Sequence, residues 1–110
     1  MILHVTELDA ARAILAAMLE GDLDDANTYR RQLDASELVR HETGCAIQVD
    51  RSKVEAAPRT GPGRADVLAE AEGHGKLWLR LHVYDGYLDD LELENHNRFP
   101  DPMTVKTLSR

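Results

Sequence analysis

The side chains of this chain that could do chemistry are five histidines (4, 41, 74, 82 and 96), a single cysteine and a run of carboxylates near residue 90. His41-Glu42-Thr43-Gly44-Cys45 places an imidazole and a thiol close together, and both bind zinc. A structural zinc site takes four ligands, often including a Cys-x-x-Cys pair, and a metalloprotease helix needs His-Glu-x-x-His. Neither pattern is present. A thiolate nucleophile at Cys45 would need a base and an orienting third group, and no such group stands at a telling spacing. Cys45 also opens an alternating run on its buried parity, so it reads as a small apolar core residue. Asp85, Asp89, Asp90, Glu92 and Glu94 put five carboxylates in ten residues. They lack the alternate spacing around a central glycine that a calcium loop uses, and a solvated strand face accounts for them. Glycosidase-like acid–base pairing depends on separation in space and is not legible here. Gly61-Pro62-Gly63-Arg64 lacks the Gly-Lys-Ser/Thr ending of a phosphate loop. The sequence therefore assigns no catalytic residue, no cofactor site and no metal ligand.

One group of residues keeps a functional reading. In Lys76 to Glu94, KLWLRLHVYDGYLDDLELE, two alternating runs flank an Asp-Gly. Leu77, Leu79, Leu81 and Val83 share one face, and Trp78, Arg80 and His82 share the other. In the second run Tyr87, Leu91 and Leu93 are assigned to the apolar face, and Asp90, Glu92 and Glu94 to the opposite one. Trp78, Arg80, His82, Leu88, Asp90 and Glu92 are thus expected together on the outer face. Tryptophan and arginine are frequent binding hot spots, so Trp78, Arg80, His82, Asp90 and Glu92 form the candidate interaction surface. The competing structural account covers Trp78 with the tail or the long loop and pairs Arg80 with Glu92.

The elements that must position this surface follow from periodicity. A two-residue Asp85-Gly86 loop would set Leu81 against Asp90, and a one-residue slip moves every side chain to the other face. A three-residue Tyr84-Asp85-Gly86 loop is therefore expected, with Gly86 left-handed and Val83, Leu79 and Leu77 opposite Tyr87, Leu91 and Leu93. Its weak point is Asp89, which falls opposite Leu81. Thr6 is placed to cap a helix from about Glu7 to Glu20, with Leu8, Ala11, Leu15, Met18 and Leu19 inward and Gly21 as its stop. Asp22, Asp24 and Asp25 begin a second helix running to about Leu33, with Ala26, Tyr29 and Leu33 inward. Ser36 to Val39 reads as a further turn of helix. Cys45, Ile47 and Val49 mark a strand ending near Arg51. Pro58, Gly61, Pro62 and Gly63 mark a long, mobile loop over 52–65, and Val67, Ala69 and Ala71 a strand from Asp66 to Glu72. Pro100-Asp101-Pro102 forbids regular structure in the tail there, and Phe99 can dock the tail on the body. The expected fold is a single α+β domain over residues 1–110, with two N-terminal helices packed on one face of a four-stranded antiparallel meander.

Composition narrows the class. The 110 residues suffice for a core without staples. Thirteen basic against twenty acidic residues give a net charge of −7, which argues against nucleic acid and anionic membrane as partners. One cysteine excludes an intramolecular disulfide. The start MILHVTELDA lacks a secretion signal and no stretch has membrane-spanning length, so a cytoplasmic location is expected.

Val83-Tyr84-Asp85-Gly86-Tyr87-Leu88-Asp89-Asp90-Leu91-Glu92 resembles a Val-x-Asp-Gly-x-Leu-x-x-Leu-Glu pattern. It is similar to that of a family of small uncharacterised proteins from high-GC Gram-positive bacteria. Tyr29-Arg30-Arg31-Gln32-Leu33, Gly44-Cys45, Val49-Asp50 and Pro100-Asp101-Pro102 resemble the same family in the same order, over about residues 7 to 105. Thr43 stands where such relatives often carry a second cysteine. The resemblance implies the fold and no site or activity.

Together these readings point to a non-catalytic binding or accessory protein acting on a protein partner, or on a second copy of itself, through the outer face or the acidic hairpin. A toxin-neutralising immunity protein fits by analogy alone. The alternative is an enzyme or small-molecule-binding domain with its site between the 52–65 loop and the sheet.

Overall fold

The computed structural model describes residues 7–20, 25–71, 75–94 and 105–109. It is an α+β arrangement of two helices and an antiparallel sheet. Helix α1 spans Glu7–Met18 and α2 spans Ala26–Asp34. The strands are β1 Ser36–His41, β2 Gly44–Val49, β3 Pro62–Ala71, β4 Gly75–Tyr84, β5 Tyr87–Leu93 and β6 Val105–Ser109. They lie in the order β1-β2-β5-β4-β3-β6 with antiparallel neighbours. Thr6, Gly21, Asp22, Asp24, His74, Phe99 and Pro100–Pro102 fall outside the described residues.

The four-stranded meander is corrected to six strands among the described residues, with two crossovers, since β2 neighbours β5 and β3 neighbours β6. Residues 36–39 are not helical: Leu38 faces the core opposite Ile47, Glu37 and Val39 face out, and Glu42-Thr43 make the turn between β1 and β2. A four-residue window is too short to separate a helical from a strand period. In the tail, β6 begins three residues beyond Pro102 and pairs with β3. β3 starts at Pro62, since proline is tolerated at the first residue of a strand. The expected 52–65 loop is therefore residues 50–61, and its length has a cause. β2 pairs with β5 rather than with β3, so the chain must travel past the β4–β5 turn before it can start β3.

The apolar pattern of α1 holds, and in α2 Tyr29 and Leu33 are buried while Ala26 is half-buried. Ala11, Leu15, Met18 and Leu19 are buried, together with Ala10 and Ile14, as a stripe of helical spacing requires. They join Tyr29 and Leu33 of α2 and Leu38, Cys45, Ile47, Val67, Leu77, Leu79, Leu81, Val83, Leu91 and Leu93 of the sheet in one cluster. Leu77, Leu79, Leu81, Leu91 and Leu93 of the hairpin are inward as alternation selects. Each contributes about 1.5–3 kcal/mol by leaving water.

The turn of that hairpin differs from expectation. Tyr84 pairs with Tyr87, Val83 with Leu88, His82 with Asp90 and Leu81 with Leu91. The loop therefore has two residues, and both have positive φ, Asp85 at 48° and Gly86 at 81°. This is the type I′ pattern that matches strand twist. A bulge resolves the parity conflict that had argued against this loop. Asp89 has no partner in the ladder, so one extra residue on β5 resets the alternation. Leu88 turns into the core, contrary to its expected place on the outer face, and Asp89 is exposed.

The loop expected to be mobile is tied to this turn. The Ala57 N–H donates to Gly86 O at 2.8 Å, the Asp85 N–H to Gly61 O at 3.0 Å, and the Gly61 N–H to Asp85 Oδ1 at 2.7 Å. Ala57 is buried beneath the turn. Gln32 of α2 completes the seam. Its Nε2 donates to Glu55 O (2.9 Å) and Gly86 O (2.8 Å), and its Oε1 accepts from the Leu88 N–H (2.8 Å). Asp85→Ala loses the acceptor for Gly61 and puts a side chain that disfavours the left-handed region at φ 48°. We expect a loss of about 1–2 kcal/mol in urea unfolding, and an unchanged midpoint would contradict this role.

Candidate functional site

Strand register arranges the outer face in rows. One row crosses the sheet as Val39, Ala46, Asp90, His82 and Arg64. The next is His41, Gly44, Glu92, Arg80 and Asp66. Trp78 follows on β4 opposite Leu68, and its carbonyl accepts from the Glu94 N–H at 3.0 Å. The five residues expected to form the surface, Trp78, Arg80, His82, Asp90 and Glu92, are thus all brought to this face. Trp78 is 50% exposed. Val39 and Tyr84 are exposed apolar residues as well.

Arg80 does not take Glu92 as its partner. Its Nε lies 3.0 Å from Asp66 Oδ1 and its Nη1 2.6 Å from Glu94 Oε1. Hydrogen bonding to Asp66 raises its pKa first, with Glu94 acting in the same direction. Glu92 turns instead to His82, with Nε2 and Oε1 2.5 Å apart. The neighbouring Asp90 meets His41 at 2.5 Å between Oδ1 and Nε2. Burial pushes the Asp90 carboxyl up from its ordinary value, and the hydrogen bond from His41 works against that rise. One ligand atom from each of His82, Asp90 and Glu92 lies within 4.8 Å of the other two.

His41 belongs to this cluster and was not foreseen in it. The sequence set it beside Cys45, but the two part in the fold. Cys45 is buried in the core, while His41 points outward on β1 and reaches across β2 to Asp90 on β5. The signal that could have revealed this is the size of the outward residues at the start of β2. Gly44 and Ala46 leave no bulk between His41 and β5.

The seam between the 50–61 loop and the sheet is filled at Gln32 and Ala57, both buried. A cavity of about 270 Å³ beside the loop is lined by Arg31, Ser52, Lys53, Val54 and Glu55, and one of about 380 Å³ lies where the start of the loop meets the sheet, lined by Ser36, Glu37, Gln48, Val49, Asp50 and Lys53 with Asp34 and Ala35. No helix among the described residues is long and apolar enough to cross a membrane. Comparison with protein-family models, with curated proteins and with solved structures returns no match.

Proposed function

We propose that the chain is a non-catalytic binding protein, that its helices cover one face of the sheet, and that the opposite face docks a protein partner. The observation that carries this reading is Trp78, half exposed on a strand face and bordered by the charged groups of Arg80, Glu94 and Asp66. A large amphipathic ring within a polar surround is the composition of a binding hot spot. The net charge of −7 favours a basic partner. The filled seam at Gln32 and Ala57 favours this face over a site between the loop and the β4–β5 turn. The order of the motifs supports grouping the chain with the high-GC Gram-positive family, whose longest motif here is the β4–β5 hairpin.

A photo-crosslinking residue placed at Val39 or Tyr84 tests the reading in cells that make the protein. One discrete adduct is expected from both positions, absent with the crosslinker at Asp34 and lost on Trp78→Ala. If the discrete adduct has twice the mass of the chain, the partner is a second copy. Equal yields at Asp34, or an adduct indifferent to Trp78→Ala, would remove the outer face as the docking surface.

A further inference from the structure

We propose that His82, Asp90 and Glu92, with His41 as the fourth ligand, form a binding site for a divalent transition-metal ion of the zinc class. The inference goes beyond the docking reading and does not depend on it. Three of the groups converge within 4.8 Å. They stand on adjacent strands, His82 directly opposite Asp90 and Glu92 one step along the same face. The fourth, His41, is already in contact with Asp90 Oδ1, so an ion on that oxygen lies within its reach.

Donor chemistry selects the ion. Two imidazole nitrogens and two carboxylates suit zinc and its neighbours, whereas calcium and magnesium take oxygen ligands. Charge points the same way. With neutral imidazoles the four groups carry two negative charges, and the adjacent Arg80 is engaged by Asp66 and Glu94. A dication would neutralise this pair of carboxylates, one of which is mostly withdrawn from water.

Closing the shell requires side-chain rotation. Zinc–ligand bonds of about 2.0–2.1 Å put tetrahedral donor atoms roughly 3.3 Å apart. The two His–carboxylate contacts at 2.5 Å would open by under about an ångström, while donors spaced up to 4.8 Å apart would draw together, both by rotation of half-buried side chains. The rigid sheet beneath fixes the origins of all four side chains. Ligands drawn from strands rather than from one local motif explain why no spacing in the sequence signalled a site.

The test is a titration of the untagged, chelator-stripped chain with zinc chloride against a chromophoric indicator, repeated with cobalt(II) for its visible spectrum. One equivalent is expected, with the absorption of a tetrahedral cobalt centre. His82→Asn and Asp90→Asn should each weaken binding by at least about tenfold, since even loss of a supporting partner costs 10–100-fold. Circular dichroism confirms that both variants are folded. Trp78→Phe, and a variant with His4, His74 and His96 all changed to Gln, should keep the full equivalent. Absence of saturable binding, binding unchanged in folded His82→Asn, or loss of binding in the triple variant would overturn the site.

Discussion

Gln32→Leu is expected to lower the stability of the protein by about 3 kcal/mol, although leucine is similar in size and more apolar. Gln32 is completely buried, and its amide is shared among three backbone groups from two distant segments. Those groups fare differently when it is removed. Gly86 O keeps the Ala57 N–H, and Glu55 O is close enough to solvent to find water. The Leu88 N–H is buried with Gln32 Oε1 as its acceptor, and it bears the full cost of desolvation. Loosening the 50–61 loop from the turn adds to this. Gln32→Glu separates hydrogen bonding from packing. A carboxylate can still accept from Leu88, but it sets a buried charge against two carbonyl oxygens. Its pKa in the folded state must then rise above the unfolded value of about 4.3. For a carboxyl with a raised folded pKa, the protonated form favours folding. The deficit relative to wild type should therefore be smallest below about pH 4 and should grow as pH rises through and above that value. Urea unfolding of the two variants at acidic and neutral pH measures both effects. A Gln32→Leu variant as stable as wild type would show that the seam is held by apolar contact alone.

Gln32 also marks the limit of what the sequence could tell. Its position in the second helix was legible, but a polar residue beside Arg31 gives no hint that its partners lie 23 and 54 residues away. The inward row Leu77, Leu79, Leu81, Val83, Leu91 and Leu93 was fully legible, because strand alternation is a local property. The pairing of those rows was not. A bulge at Asp89 trades one ladder position for the expulsion of a carboxylate from the core, and parity counted without a bulge reached the wrong loop length. The same division holds at the surface. Trp78, Arg80, His82, Asp90 and Glu92 share a hairpin, so local alternation brought them together. His41 joins them from another hairpin, across the end of a strand where the outward residues, Gly44 and Ala46, are small. Strand order decides such contacts, and that order rests on crossovers no local pattern records.

Gly44→Ala tests that arrangement, and its expected cost is about 3 kcal/mol, at the upper end for overpacking because the obstacle is backbone. A Cβ on Gly44 would sit 1.9 Å from the carbonyl oxygen of Leu91, which has no rotamer by which to retreat. The strands themselves must separate. β2 meets β5 at only three register positions, Gly44 with Glu92, Cys45 with Leu91 and Ala46 with Asp90, so disturbing one weakens the whole junction. The adjoining bond from the Leu93 N–H to Thr43 O, 2.9 Å long, lies next to the clash. The β1–β2 hairpin should then lean away from β5 and carry His41 from Asp90. Thermal unfolding is expected to fall by roughly 12–20 °C, at 4–8 °C per kcal/mol with the lower part of that range fitting a chain of this size. Amide exchange should quicken at Leu93 and remain slow within the β3–β4 pairing. If the melting temperature stays within a few degrees and Leu93 stays protected, the β2–β5 junction has the slack to admit a methyl group. His41 would then be held in the cluster by its own hydrogen bond to Asp90 and not by the close approach of the two strands.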